Sequence, residues 1–172
     1  MMLEPQTLER MVSSLAIRTR NYLTDEMGID VSDVRQQGSD LETLKLENLT
    51  AVIGIGGPSG LLVAFSFCAR MADTLYRRTT ASLKIPPGKE DVYRDAALVE
   101  IANVIVGNWI ADFASRDEHV SMTPPVILEG ANRIHHVPNA TFRSIAMATG
   151  EGALFMHLVG PRNMFDHYLN AR

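Results

Sequence analysis

A chain of 172 residues, 46% hydrophobic and 21% charged, has the length of one compact domain and enough apolar mass to bury a core, which excludes a disordered chain. The formal net charge of −4, without a run of five or six basic residues, disfavours nucleic-acid and anionic-membrane binding, since both need concentrated positive charge. No stretch of about 18 apolar residues marks a membrane span, and the acidic N-terminus (Glu4, Glu9) lacks the basic and apolar regions of a signal peptide. The expectation is one domain over residues 1–172, soluble and cytoplasmic, with Arg18, Arg20 and Arg35 on a solvated face.

In chain order, Leu8, Met11, Val12, Leu15, Ile17, Tyr22 and Leu23 recur at helical spacing from Gln6 to about Thr24, with Pro5 before them and Gly28 after. Ile29 to Leu49 is polar, and an extended strand is expected only around Leu41–Leu46. Two β-rich runs, Leu49–Ile55 and Leu61–Phe67, flank Gly56, Gly57, Pro58, Ser59 and Gly60, which predicts a hairpin. That loop superficially resembles a phosphate loop, but no Lys-Ser/Thr follows it and it leads into a strand, so it reads as a turn. The single cysteine, Cys68, follows an apolar run and reads as a buried structural thiol.

Ala69 to Arg78 predicts a short helix with Met71, Ala72 and Leu75 inward. Pro86, Pro87 and Gly88 break the chain before a long helix from Asp91 to about Ser115. Val120 to Leu128 resembles a strand interrupted by Pro124 and Pro125, and therefore an edge. A turn at Gly130 precedes a strand or loop at Arg133–Val137. A second hairpin, Phe142–Ala148 with Ala153–Val159, turns at Thr149–Gly152, and Pro161 is expected to open a last helix reaching about Ala171.

Each half thus reads helix, irregular strand, glycine-turned hairpin, short helix, with Met71–Asp73 falling on Met164–Asp166 at an offset of 93. The fold class is α+β: a pseudo-symmetric domain of two halves whose strands combine into an antiparallel sheet packed with long helices.

The chemistry concentrates on the long helix. Leu98, Val99, Ile101, Val104, Ile105, Val106, Trp109, Ile110 and Phe113 form its core-facing sides. Ala96, Glu100, Asn103, Gly107, Ala111 and Ala114 share one narrow strip, all small or polar. Two polar residues on a helix are usually solvated surface. Here the strip also contains a glycine, which costs on the order of 1 kcal/mol in a helix interior. Gly107 is explained either by close packing on another helix of this chain or by a partner that must come near. The first helix carries no Glu-x-x-Asn, so the repeat does not duplicate the pair. His119, His135, His136, His157 and His167 are scattered or point to opposite sides of a strand, without Cys-x-x-Cys or His-x-x-x-His, so no metal site is expected. No Gly-x-Ser-x-Gly marks a nucleophile, and the nine methionines read as core filler.

The run Glu100 to Asn108, followed by Thr123 to Ile127, resembles the CheC/CheX/FliY phosphatases of bacterial chemotaxis, and the single pair per chain is most similar to the CheX branch. The resemblance spans roughly Leu49 to Val159. The family pattern is Asp or Ser, then Glu four residues on, Asn three residues after that, and a proline about two dozen positions later. Glu100 and Asn103 match; Ala96 stands where the family has Asp or Ser, with Asp95 beside it, and the proline falls on Pro124 or Pro125.

The resemblance implies a CheC-like fold and hydrolysis of the phospho-aspartate of a CheY-like response regulator. Asn103 would align the attacking water and Glu100 would pair with the regulator's lysine. Ala96, Gly107 and Ala111 would leave room for the partner's approach. The Mg²⁺ would belong to the regulator and none to this chain. It also implies a homodimer formed through the sheet. Two other readings stand beside the enzyme. One is an adaptor that holds a response regulator or flagellar component without hydrolysis. The other is a structural subunit that pairs through an exposed strand edge.

Overall fold

The computed structural model describes residues 5–37, 43–57, 60–112, 120–135 and 140–161. Helix α1 (Pro5–Asn21) ends in one wide turn, Tyr22–Glu26, and leads to β1 (Val31–Gln37), β2 (Thr43–Lys45) and the hairpin β3 (Leu49–Gly56) and β4 (Leu61–Phe67). Helices α2 (Ala69–Thr79) and α3 (Glu90–Ala111) follow, then the short strands β5 (Ser121–Met122), β6 (Val126–Glu129) and β7 (Arg133–His135), and a second hairpin, β8 (Ala140–Thr149) with β9 (Gly152–Pro161).

Strands β4 and β9 pair antiparallel in the middle of a seven-stranded sheet. Outward on one side come β8 and then β1; on the other come β3 and then β5 and β6, all antiparallel. The two expected halves are interlocked: β1 of the first half pairs with the second half's hairpin, and β6 pairs with the first half's. The small ribbon β2–β7 also takes one strand from each half.

Alternation decides which face is which. Ala51, Ile53, Val63, Phe65, Phe67, Ile145, Met147, Leu154, Met156 and Leu158 turn to one face and join Met11, Leu15, Met71, Leu75, Leu98, Ile101, Ile105 and Trp109 from the three helices in the main core. On the other face the ribbon covers Phe142 and Val159 with Leu44, Leu46 and Ile134. The rest of that face is mixed. Thr50 and Ser66 bond each other across β3 and β4 at 2.9 Å, and Ser144 bonds His157 Nδ1 across β8 and β9 at 2.9 Å. Leu62, Val126 and Leu128 remain exposed there.

Both hairpins and α2 lie where the sequence places them, and Met71, Ala72 and Leu75 are the buried residues of α2. Pro124 and Pro125 divide the expected strand into β5 and β6. Thr123 bridges the gap: its N–H donates to the Gly54 carbonyl at 2.8 Å and its Oγ1 accepts the Gly54 N–H at 2.8 Å. A β-carbon on residue 54 would lie 3.0 Å from Thr123 Cγ2, so glycine fits this close approach.

Three expectations are corrected. A full strand, β1, occupies the segment read as irregular; it is a sheet-edge strand with a register shift between Val31 and Asp33. Its exposed side can be polar, so its sequence lacks a hydrophobic alternation. Pro161 closes β9, paired with Ala140, and so does not open a helix; a strand end tolerates the missing N–H. The expected helix beyond it lies outside the described residues, as do Phe113, Ala114 and residues 115–119. Cys68 is half-buried rather than buried. Its Sγ accepts the Ala153 N–H at 3.3 Å, and a β-carbon on Gly152 (φ +115°) would lie 2.5 Å from it. Among the described residues no helix is long and apolar enough to cross a membrane.

Candidate functional site

Helix α3 begins with Glu90 and Asp91, acids that favour the positive end of the helix dipole; its many Val and Ile are weak helix formers held by the apolar core they bury. Ala97, Leu98, Ile101, Ala102, Ile105, Val106 and Trp109 are buried. Opposite them, Ala96, Glu100, Gly107 and Ala111 are exposed and Asn103 is half-buried. The strip read from periodicity is therefore an outward-facing strip; its last member, Ala114, lies outside the described residues.

Both ends of α3 are held. Trp109 Nε1 donates to the Met11 carbonyl at 2.8 Å. One turn on, Ser14 Oγ donates to Asp112 Oδ2 at 2.5 Å and Arg18 forks onto both Asp112 oxygens, fixing α3 to α1. Hydrogen bonds from Arg18 and then Ser14 hold the Asp112 carboxyl at about 2. At the other end Arg94 pairs with Asp91 at 2.8 Å, Asp95 at 3.0 Å and Glu129 of β6 at 3.9 Å. Asp95 is thus engaged off the strip and does not substitute for an acid at Ala96.

Between these clamps, Glu100 and Asn103 make no hydrogen bond or ion pair among the described residues. One helical turn separates them, about 4.5 Å along the axis. A neighbour not anticipated from sequence is Tyr22, from the wide turn after α1. Burial, followed by the charges of Glu26 and Glu100, pushes its phenol above the ordinary range. A β-carbon on Gly107 would meet nothing within 4 Å. Close packing on another described helix therefore does not account for this glycine; among the described residues the space beside it is open.

A free carboxylate can pair with a cation, and a free carboxamide can donate and accept hydrogen bonds at once. Neither supplies a nucleophile, and two such groups provide too few oxygens for a Mg²⁺ site of their own. Among the described residues no group of three or more His, Cys, Asp or Glu is placed to hold a metal ion. His157 is buried and far from this role: desolvation lowers its pKa to about 4, and Nε2 has no hydrogen-bond partner among the described residues. The strip suits recognition and positioning of a reaction whose other components arrive with a partner.

Residues 49–151 match the family model for the chemotaxis phosphatase CheX. No curated protein matches the chain. Among solved structures, the chemotaxis protein CheX from Desulfovibrio desulfuricans superposes with a TM-score of 0.70 at 18% identity, over 88% of this chain and 99% of that one. A CheC-like superfamily protein from Shewanella sp. PV-4 gives 0.65 at 13% identity, over 87% and 96%. The CheX–CheY–BeF3–Mg²⁺ complex from Borrelia burgdorferi gives 0.64 at 14% identity, over 87% and 96%. At these identities the likeness is one of fold.

Proposed function

The chain belongs to the chemotaxis phosphatase CheX family, and from that premise we propose that it hydrolyses the phospho-aspartate of a CheY-like response regulator at Glu100 and Asn103. The observation that carries the proposal is the open strip of α3, where these two side chains stand unpaired among the described residues between helix ends that are clamped. A CheX of the same fold has been captured with CheY, which supports a response regulator as the partner.

In the reaction a water oxygen attacks phosphorus in line, the bond from phosphorus to the aspartyl oxygen breaks, and the products are the free carboxylate and inorganic phosphate. Such a transfer depends mostly on alignment and charge stabilisation. The Asn103 carboxamide oxygen holds the water by accepting a hydrogen bond from it, leaving a water lone pair directed at phosphorus. Glu100 pairs with the lysine beside the regulator's phosphorylation site and fixes the depth of docking. Ala96, Gly107 and Ala111 keep the surrounding surface low. Mg²⁺ belongs to the regulator, where it shields the phosphoryl oxygens. We infer that the protein acts in the cytoplasm, with its partner.

The decisive experiment mixes the protein with a phosphorylated CheY-like regulator and follows phosphate release. Acceleration by the wild type that is lost by at least 100-fold in Asn103→Ala, with affinity retained, supports the enzyme. Binding without acceleration gives the adaptor reading instead. We also infer a homodimer through the sheet, supported by exposed Leu62, Val126 and Leu128 on the face away from the helices.

A further inference from the structure

The strip on α3 continues one turn further than the residues considered so far. At about 100° per residue Val92 lies about 20° round the helix from Asn103, about 40° from Ala96 and about 80° from Glu100, so it flanks the strip on the Asn103 side. It is 61% exposed, the highest value among the exposed large hydrophobic residues. Nothing about helix formation explains it. With Lys89 as the N-cap, Val92 is the third residue of α3, where a glutamate or aspartate would cap free N–H groups and complement the helix dipole. A β-branched residue there is a poor helix former and, being exposed, gains little from burial.

The surroundings are consistent with a contact surface. Arg94 draws Asp91 and Asp95 into ion pairs, and Arg94 itself reaches toward Glu129 of β6. Between Val92 and Glu100 this side of the helix carries exposed Ala96 and half-buried Tyr93. The run from apolar anchor to carboxylate is therefore uncharged, about 12 Å along the helix axis. The alanines and glycine nearer the pair offer a partner little apolar area, so a specific complex needs an anchor at this radius, well within a standard contact patch.

The geometry points to Val92 as a docking and specificity residue for the phosphorylated receiver domain, seated against an apolar side chain or aliphatic stem about 12 Å from the receiver's lysine. This inference rests on the phosphatase reading and extends it; Val92 touches no reacting atom and acts on affinity alone.

The test compares Val92→Asp and Val92→Leu with the wild type. Aspartate is favourable in a first helical turn, so the variant keeps α3, and an unchanged thermal midpoint checks this. Steady-state dephosphorylation of a CheY-like regulator, phosphorylated with a small phosphodonor, gives KM and kcat. Titration in an Asn103→Ala background gives Kd without turnover. The expected result is that Val92→Asp raises KM and Kd on the order of tenfold, leaves kcat within about twofold, and that Val92→Leu stays near wild type. If the wild type accelerates dephosphorylation and Val92→Asp matches it in KM and Kd, the docking role is overturned and the phosphatase reading stands. If the wild type neither binds nor accelerates, both fall together.

Discussion

Trp109 and Met11 lie 98 positions apart in sequence and are joined by a 2.8 Å hydrogen bond from the indole Nε1 to the main-chain carbonyl. The bond ties α3 to α1 beside the Arg18–Asp112 fork and sets the rotation of α3 about its own axis. That rotation decides whether Glu100 and Asn103 face outward. Trp109→Phe keeps most of the buried area but leaves the carbonyl without this donor, at a cost of about 1–3 kcal/mol. Urea unfolding should show a lower midpoint with an unchanged slope.

Gly107 separates stability from function. Because a β-carbon there meets nothing within 4 Å, Gly107→Ala should stabilise the protein by about 0.5–1 kcal/mol. Gly107→Trp should also fold, yet it raises a ring on the approach strip and should cut phosphatase activity at least tenfold. Equal activity in the tryptophan variant would show that the partner does not cross this part of the helix.

Glu100 is expected to act through charge. Glu100→Gln should weaken binding of the phosphorylated regulator by about tenfold, and the wild type should lose its advantage as salt rises, since screening acts on the ion pair. Affinities measured at two ionic strengths check this. A wild-type affinity indifferent to salt and equal to that of Glu100→Gln would remove the lysine pairing.

His157 makes the fold acid-sensitive. Its folded pKa is lowered to about 4 by burial, against an ordinary value of 6.5. The unfolded chain therefore binds a proton that the native state refuses between these values. The stability from a neutral His157 is fully present above about 6.5, falls as pH drops toward 4, and changes no further below that. The loss reaches about 3 kcal/mol. His157→Gln, which still faces Ser144, should flatten the difference in unfolding free energy between pH 7 and pH 4.5 relative to wild type; identical slopes would exclude His157 as the cause.

The inferred dimer has a surface test. Leu62→Glu combined with Val126→Glu alters two exposed positions on the outer sheet face. Sedimentation should shift from dimer to monomer while thermal stability of the protomer holds. A variant that stays dimeric would move the interface elsewhere.

Much of this arrangement was legible because it is periodic. The inward side of α2, both hairpins and the outward strip of α3 follow from spacing alone. Strand β1 was not: of its residues only Val31 and Val34 reach the main core, while Asp33, Arg35 and Gln36 give no alternating apolar signal. Pro161 was misread because proline suits both a helix start and a strand end, and only the pairing with Ala140 distinguishes them. The residues that orient the candidate site were also hidden. Arg18 meets Asp112 across 94 positions and Arg94 of α3 meets Glu129 of β6, contacts that no local pattern encodes.

The interlocking of the halves bears on how the chain reaches its native state. Since β1 closes onto β8 and β6 onto β3, each hairpin has an outer edge that only the opposite half can satisfy. The first hairpin emerges from the ribosome long before β6 exists, so its edge waits for distant sequence and nucleation is slowed by loop closure. Severing the chain between α2 and α3 would leave two fragments, each with an open edge and each carrying the strand its counterpart lacks. The same topology describes two short chains exchanging strands, so the present domain has the form of a strand-swapped pair made covalent.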